Sequence, residues 1–89
     1  MQAIHTKRHR LADFGRMDMR KLVGRNLKRW RTAKGMTQEE LAVKSGFSQQ
    51  FLSGMERGRR NPTIVTLYEI AQALEVSHED LVRADNEPD

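Results

Sequence analysis

The chain of 89 residues has no cysteine, two prolines, one Trp, one Tyr and three Phe. Without cysteine there is no disulfide framework and no thiolate zinc site, and the composition suits a reducing cytoplasm. No stretch approaches the ~18 consecutive apolar residues that suggest a membrane span. The opening residues, with Lys7, Arg8 and Arg10, are basic but lack a following apolar block, so they do not read as a secretory signal. Strand-like alternation, internal repeats and low-complexity tracts are missing as well. The length allows one domain with one modest core.

Negative charge is scarce in the first two thirds. Residues 19–62 carry eleven Lys/Arg against Glu39, Glu40 and Glu56, whereas residues 63–89 carry only Arg83 against seven acids. Residues 1–18 hold four Lys/Arg and two Asp. One part of the chain is built to approach a polyanion, and the other would be repelled by it. An uneven but merely solvated surface is the plainer alternative.

What is present is helical. Residues 1–18 lack sustained periodicity and read as a basic arm. From Met19, the residues Val23, Leu27 and Trp30 form one apolar stripe, and Gly35 is placed to end that helix in a left-handed conformation. Thr37 and Glu40 make a capping box for a second helix, which turns Leu41 and Ala42 inward and stops at Gly46. Ser48, preceded by Phe47, caps a third helix over residues 49–57, with Leu52 and Met55 inward and Gly58 at its end. Pro62 disfavours helix at Asn61, so residues 59–62 form a loop. Thr63 caps a fourth helix with apolar positions Ile64, Leu67, Ile70, Ala71 and Leu74. A short fifth begins at Ser77 and carries Leu81 and Val82. The expectation is an all-α, compact five-helix domain over residues 19–83, with a basic arm over 1–18 and an acidic tail over 84–89.

Two short helices joined by a tight glycine-containing turn, in a basic setting, are the parts of a helix-turn-helix. The second must expose its N-terminal polar face to enter a major groove. Here that face reads Ser48, Gln49, Gln50, then Ser53, Gly54 and Arg57. A glutamine amide can both donate to and accept from an adenine edge, so Gln49 and Gln50 suit direct base readout.

Residues 20–83 resemble the lambda-repressor-like (Cro/repressor-type, XRE-like) helix-turn-helix family. The resemblance rests on Leu27-Lys28-Arg29-Trp30-Arg31, Gly35-Met36-Thr37-Gln38-Glu39-Glu40-Leu41-Ala42, Ser45-Gly46-Phe47-Ser48, Leu52-Ser53-Gly54-Met55-Glu56-Arg57-Gly58, Asn61-Pro62 and the run from Leu67 to Leu74. It implies a five-helix domain that binds double-stranded DNA as a dimer, in a bacterial or phage-type, nucleoid-associated setting. It implies that Gln38 contacts phosphate and braces the first recognition-helix residue, and that Arg31 and Glu56 form a partly buried ion pair. Arg31 reaching phosphate is the other role open to it. Gly54 departs from relatives that place a long polar side chain there. Phe51, between the reading face and the apolar face, is open either to a thymine methyl or to partial core packing.

The resulting expectation is a palindromic operator read by Gln49, Gln50, Ser53 and Phe51, with Thr37, Gln38, Ser48, Arg57, Arg59, Arg60 and Asn61 on phosphates. Self-association through Leu74, Val76, Leu81 and Val82 would supply a homodimer; closing the intramolecular core is the equal alternative for the same residues. The role expected is a repressor or autoregulator. A protein-interaction adaptor or antitoxin using the same fold is the alternative. No catalytic arrangement is discernible, and no cofactor, membrane or small-molecule ligand is expected. His5 and His9 have i, i+4 spacing, but no third ligand completes a metal site. Lys7-Arg8-His9-Arg10 suits either an arm along DNA or a basic tail with no fixed contact.

Overall fold

The computed structural model describes residues 18–84. The basic arm, with His5 and His9, and all but the first residue of the acidic tail lie outside the described residues.

Five helices follow one another: α1 (Met19–Ala33), α2 (Gln38–Ser45), α3 (Gln49–Glu56), α4 (Ile64–Leu74) and α5 (His78–Val82). No strand occurs among the described residues. Each helix starts on a side-chain oxygen that accepts a first-turn amide, from Asp18, Thr37, Ser48, Thr63 and Ser77 in turn. Such a cap is worth ~1 kcal/mol, and helices this short are marginal alone. Thr37 with Glu40 forms the expected capping box, and Ser77 with Asp80 forms a second.

The ends follow one logic as well. Gly35, Gly46 and Gly58 take the left-handed conformation, at φ 73°, 85° and 75°. The end of α4 departs from it: Glu75 adopts φ 61°, the one non-glycine residue with positive φ among the described residues. Its N–H bonds the Gln72 carbonyl and the Val76 N–H bonds that of Ala71, both at 3.0 Å.

The core gathers Leu22 and Leu27 from α1, Leu41 from α2, Leu52 and Met55 from α3, Ile70 and Leu74 from α4, and Leu81 from α5, all fully buried. Burial of each contributes about 1.5–3 kcal/mol. Trp30 packs partly buried against this cluster. Two residues of α1 position its neighbours. At Gly24 the backbones of α1 and α3 touch: a Cβ there would overlap the Met55 carbonyl oxygen and lie 2.8 Å from that of Glu56. Asn26, buried, donates from Nδ2 to the carbonyls of Leu81 at 2.9 Å and Arg83 at 3.0 Å. That side chain ties the C-terminal end of α5 to α1.

Ile64, an apolar position of α4, lies outside the core, because the first turn of the helix leaves it 83% exposed. One apolar expectation is corrected here. Leu74 and Leu81 offer nothing to a second chain. They are sealed where α5 folds back on α1 and α4, and Val76 is half-buried against the same core. Of the four residues considered for pairing, Val82 is the one that is exposed, at 38%.

Candidate nucleic-acid interface

Helix α3 stands on a polar network rooted in α1. The Arg31 guanidinium grips the Glu56 carboxylate with two bonds, Nε to Oε2 at 2.6 Å and Nη2 to Oε1 at 3.1 Å. Its Nη1 donates to the Met36 carbonyl at 2.7 Å, holding the turn before α2. The two side chains are 13% and 5% exposed, so neither charge can be left alone cheaply. The hydrogen bond to Glu56 raises the Arg31 pKa, against a lowering by partial burial, and the carboxylate's charge raises it further. The ion pair fills the structural role open to Arg31.

The network continues to the surface. Gln38 donates from Nε2 to Glu56 Oε1 at 3.0 Å. A carboxylate only accepts, so the Gln38 amino group must face it, which turns the Gln38 carbonyl oxygen outward. Gln49 Nε2 approaches that oxygen at 3.5 Å, the outer limit of a hydrogen bond. One line of contacts thus runs from the Arg31–Glu56 pair through α2 to the first residue of α3.

Above this support the polar face of α3 is open. Gln49 and Gln50 are exposed and Ser53 is half-buried. Arg57, exposed, folds back so that Nη2 donates to Ser53 Oγ at 3.0 Å. Thr37 and Ser48 hold their helix starts, accepting from the Glu40 and Phe51 amides at 3.0 Å. Arg59, Arg60 and Asn61 are exposed in the loop that follows. Phe51 stacks on Phe47 with ring centroids 5.4 Å apart and is partly buried against the core.

Gly54 has a specific neighbour. A Cβ at Gly54 would lie 2.9 Å from Arg60 Nε and 3.0 Å from its Cγ. Arg60 runs back along α3 and sets its guanidinium over the Phe51 ring, 5.7 Å from the centroid. Gln50, Ser53, Gly54, Arg57, Arg59 and Arg60 line one shallow depression on this face. Among the described residues no three His, Cys, Asp or Glu side chains converge on a point.

Sequence reasoning missed Gly24 and Asn26. Each sits inside the apolar stripe of α1, and a glycine or an asparagine among Leu22, Val23 and Leu27 was the only available signal.

Comparison with known proteins agrees with this geometry. The HTH_3 family model, described as Helix-turn-helix, matches residues 27–81. The chain is 66% identical over 71 residues to an uncharacterized HTH-type transcriptional regulator, y4dJ, of Sinorhizobium fredii, a match covering 80% of this chain and 92% of that protein. The crystal structure of the restriction-modification controller protein C.AhdI from Aeromonas hydrophila superposes with a TM-score of 0.68 at 39% identity, covering 70% of this chain and 94% of that one. The controller protein C.Esp1396I, solved as a tetramer with its natural 35 base-pair operator, matches with a TM-score of 0.64 at 46% identity, over 66% of this chain and 78% of that one. Five capped helices, a braced and exposed third helix, and these matches lead to one assignment: the chain belongs to the HTH_3, lambda-repressor-like helix-turn-helix family of DNA-binding transcriptional regulators.

Proposed function

We propose that this protein binds a palindromic operator in double-stranded DNA as a homodimer and represses transcription there, its own included, with α3 in the major groove. The observation that carries the reading is the exposed N-terminal face of α3, where Gln49 and Gln50 stand on a helix braced through Gln38 and Glu56 to Arg31. Gln49 gives one amino hydrogen to Gln38, which leaves its second hydrogen and its carbonyl oxygen for N7 and N6 of an adenine. A bidentate pair of this kind discriminates by ~1–3 kcal/mol. Ser53 and Phe51, both half-buried, extend the base-facing set. Thr37, Gln38 and Ser48, at the N-termini of α2 and α3, and Arg57, Arg59 and Asn61 take phosphates and fix the register. By chain position Arg60 belongs with them.

A second surface supports pairing. Ile64, Val65 and Tyr68 share one face of α4 and are 83%, 63% and 49% exposed. A cluster of exposed apolar side chains on so small a domain marks an interaction surface. It lies in the acidic third of the chain, which phosphates would repel, so it is free to meet a second copy while α3 faces DNA. The similar C.Esp1396I, crystallised as a tetramer on its operator, favours more than one copy per site.

In vitro selection from random duplex DNA, at low and at physiological salt, tests the proposal. The expected product is a palindrome with half-sites about one helical turn, ~34 Å, apart, retained at physiological salt. Recovery of no motif, with binding that vanishes as salt rises, would reduce the basic face to non-specific attraction.

A further inference from the structure

We infer that Arg60 is a specificity-determining residue, a base reader delivered to the recognition surface by the loop after α3 through the notch that Gly54 leaves. The inference rests on the operator-binding reading above and deepens it. Chain position places Arg60 past the C-terminus of the helix, where a cation would meet backbone phosphate. The geometry places its charge elsewhere. Gly58 and Arg59 return their amides to the carbonyls of Met55 and Gly54, each at 2.9 Å, and this turns the loop back over the last turn of α3. The Arg60 stem then crosses Gly54, with Cγ and Nε at 3.0 and 2.9 Å from where a Cβ would stand. Its guanidinium ends over Phe51, 5.7 Å from the ring centroid. Phe51 is itself held by Phe47, at 5.4 Å. The charge therefore sits one turn toward the N-terminus of α3, at the level of Gln50, the end of the helix that enters the groove.

Each element of this arrangement has a physical cause. A Cβ at position 54 would crowd the Arg60 stem, which would have to leave this path to make room for it. A mid-helix glycine is unfavourable for α3 itself, and the passage of Arg60 gives it a role. The aromatic face attracts the guanidinium and limits its conformations, so less entropy is lost when it meets a partner. Arg57 is already held on the Ser53 hydroxyl, and of the two loop arginines that line the same depression, Arg59 and Arg60, Arg60 is the one whose stem crosses Gly54. The partner that matches a planar, five-donor fork in a major groove is the O6/N7 edge of a guanine.

The test uses the full chain and the operator recovered by selection, with every base pair of one half-site varied in turn. Arg60→Ala is expected to lose ~10–100-fold on the parent operator, to lose its preference at a single base pair, and to keep the salt slope. Gly54→Ala is expected to lose preference at the same base pair while unfolding at the same or a higher temperature, which separates the effect from misfolding. In the Arg60→Ala background, Gly54→Ala is expected to change nothing further. A uniform loss over all duplexes with the slope reduced by about one would make Arg60 a phosphate contact and overturn the inference. A further loss from Gly54→Ala in the double variant would overturn it too, because Gly54 would then be needed for its own approach to DNA. Selection of no motif by the parent protein would sink the operator reading itself, whereas an operator dependent on Gln49 and Gln50 but indifferent to Arg60 would sink only this inference.

Discussion

Helices α3 and α4 are built alike and finished differently. Each starts on a hydroxyl cap, Ser48 or Thr63, and each sends an apolar stripe into the common core. On its open side α3 presents amides and a guanidinium, at Gln49, Gln50 and Arg57, while α4 presents Ile64, Val65 and Tyr68. Exposed amides cost nothing in water and gain only against a patterned polar surface. Exposed apolar groups gain against almost any dry surface. Under the proposed function the two helices suit different complements: a base edge with directional donors and acceptors for α3, and a shape-matched apolar face for α4. It also explains the support beneath each. Directional readout tolerates little misplacement, and α3 is held by a bidentate ion pair and a glycine-mediated backbone crossing. The first turn of α4 has its Thr63 cap and the packing of Leu67.

Removing the support beneath α3 is expected to have the largest effect. Glu56→Ala would strand the Arg31 guanidinium in its half-dry site and release Gln38. The expected cost is about 3–5 kcal/mol of unfolding free energy, read by chemical denaturation. A loss below about 1 kcal/mol would mean that the pair is decorative.

From the α4 side, Val65→Glu places like charges on both copies of the proposed pairing face. Like-charge juxtaposition at an interface costs several kcal/mol. The folded monomer should be unaffected within about 0.5 kcal/mol, since the side chain is exposed. Sedimentation is expected to show a monomer, with operator binding weakened. A variant that remains dimeric would move the interface elsewhere.

A smaller change sharpens the distinction between reading and positioning. Arg59 is exposed beside α3 with its backbone amide committed to the Gly54 carbonyl. Arg59→Ala is expected to weaken operator and scrambled duplex alike and to lower the slope of log affinity against log salt by about one. Selective loss on the operator would make it a base contact.

The smallest expected effect concerns the end of α4. Glu75 holds a left-handed conformation that costs a non-glycine residue roughly 1–2 kcal/mol. Its exposed ion pair with Lys44, at 3.3 Å, returns little. Glu75→Gly should stabilise the fold by about 0.5–1 kcal/mol after the greater freedom of glycine in the unfolded chain is counted. A lower melting temperature would show that the pair matters more than the backbone.

The helices were legible because their punctuation is local. Thr37 with Glu40, Ser48, Thr63, and the glycines at 35, 46 and 58 each act within a few residues, so spacing alone locates them. The exposed polar face of α3 was legible for the same reason, since Gln49 and Gln50 follow directly from the cap at Ser48. What could not be read was decided through space. Periodicity marks Ile64 as apolar but does not say whether its neighbour belongs to the same chain, and nothing in the described fold covers it. Leu74 and Leu81 carry the opposite lesson, because the fold of α5 onto α1 and α4 seals them. Asn26 reads as a polar break in a stripe until the α5 carbonyls it serves, 55 and 57 residues away, are seen. Gly54 is the sharpest case. Its nearest neighbour is a side chain six positions later, turned back by a loop whose path no local rule specifies.

The central claim is that the N-terminal face of α3 reads bases, and the most direct measurement is the affinity gap between the selected operator and a scrambled duplex for the Gln49→Ala, Gln50→Ala double variant at physiological salt. The account predicts that the gap, ~10³-fold or more in the parent protein, collapses in the variant, while its unfolding midpoint and its salt slope on scrambled DNA stay as they were. A variant that keeps the parent's preference would contradict the account, because sequence would then be read by some other surface.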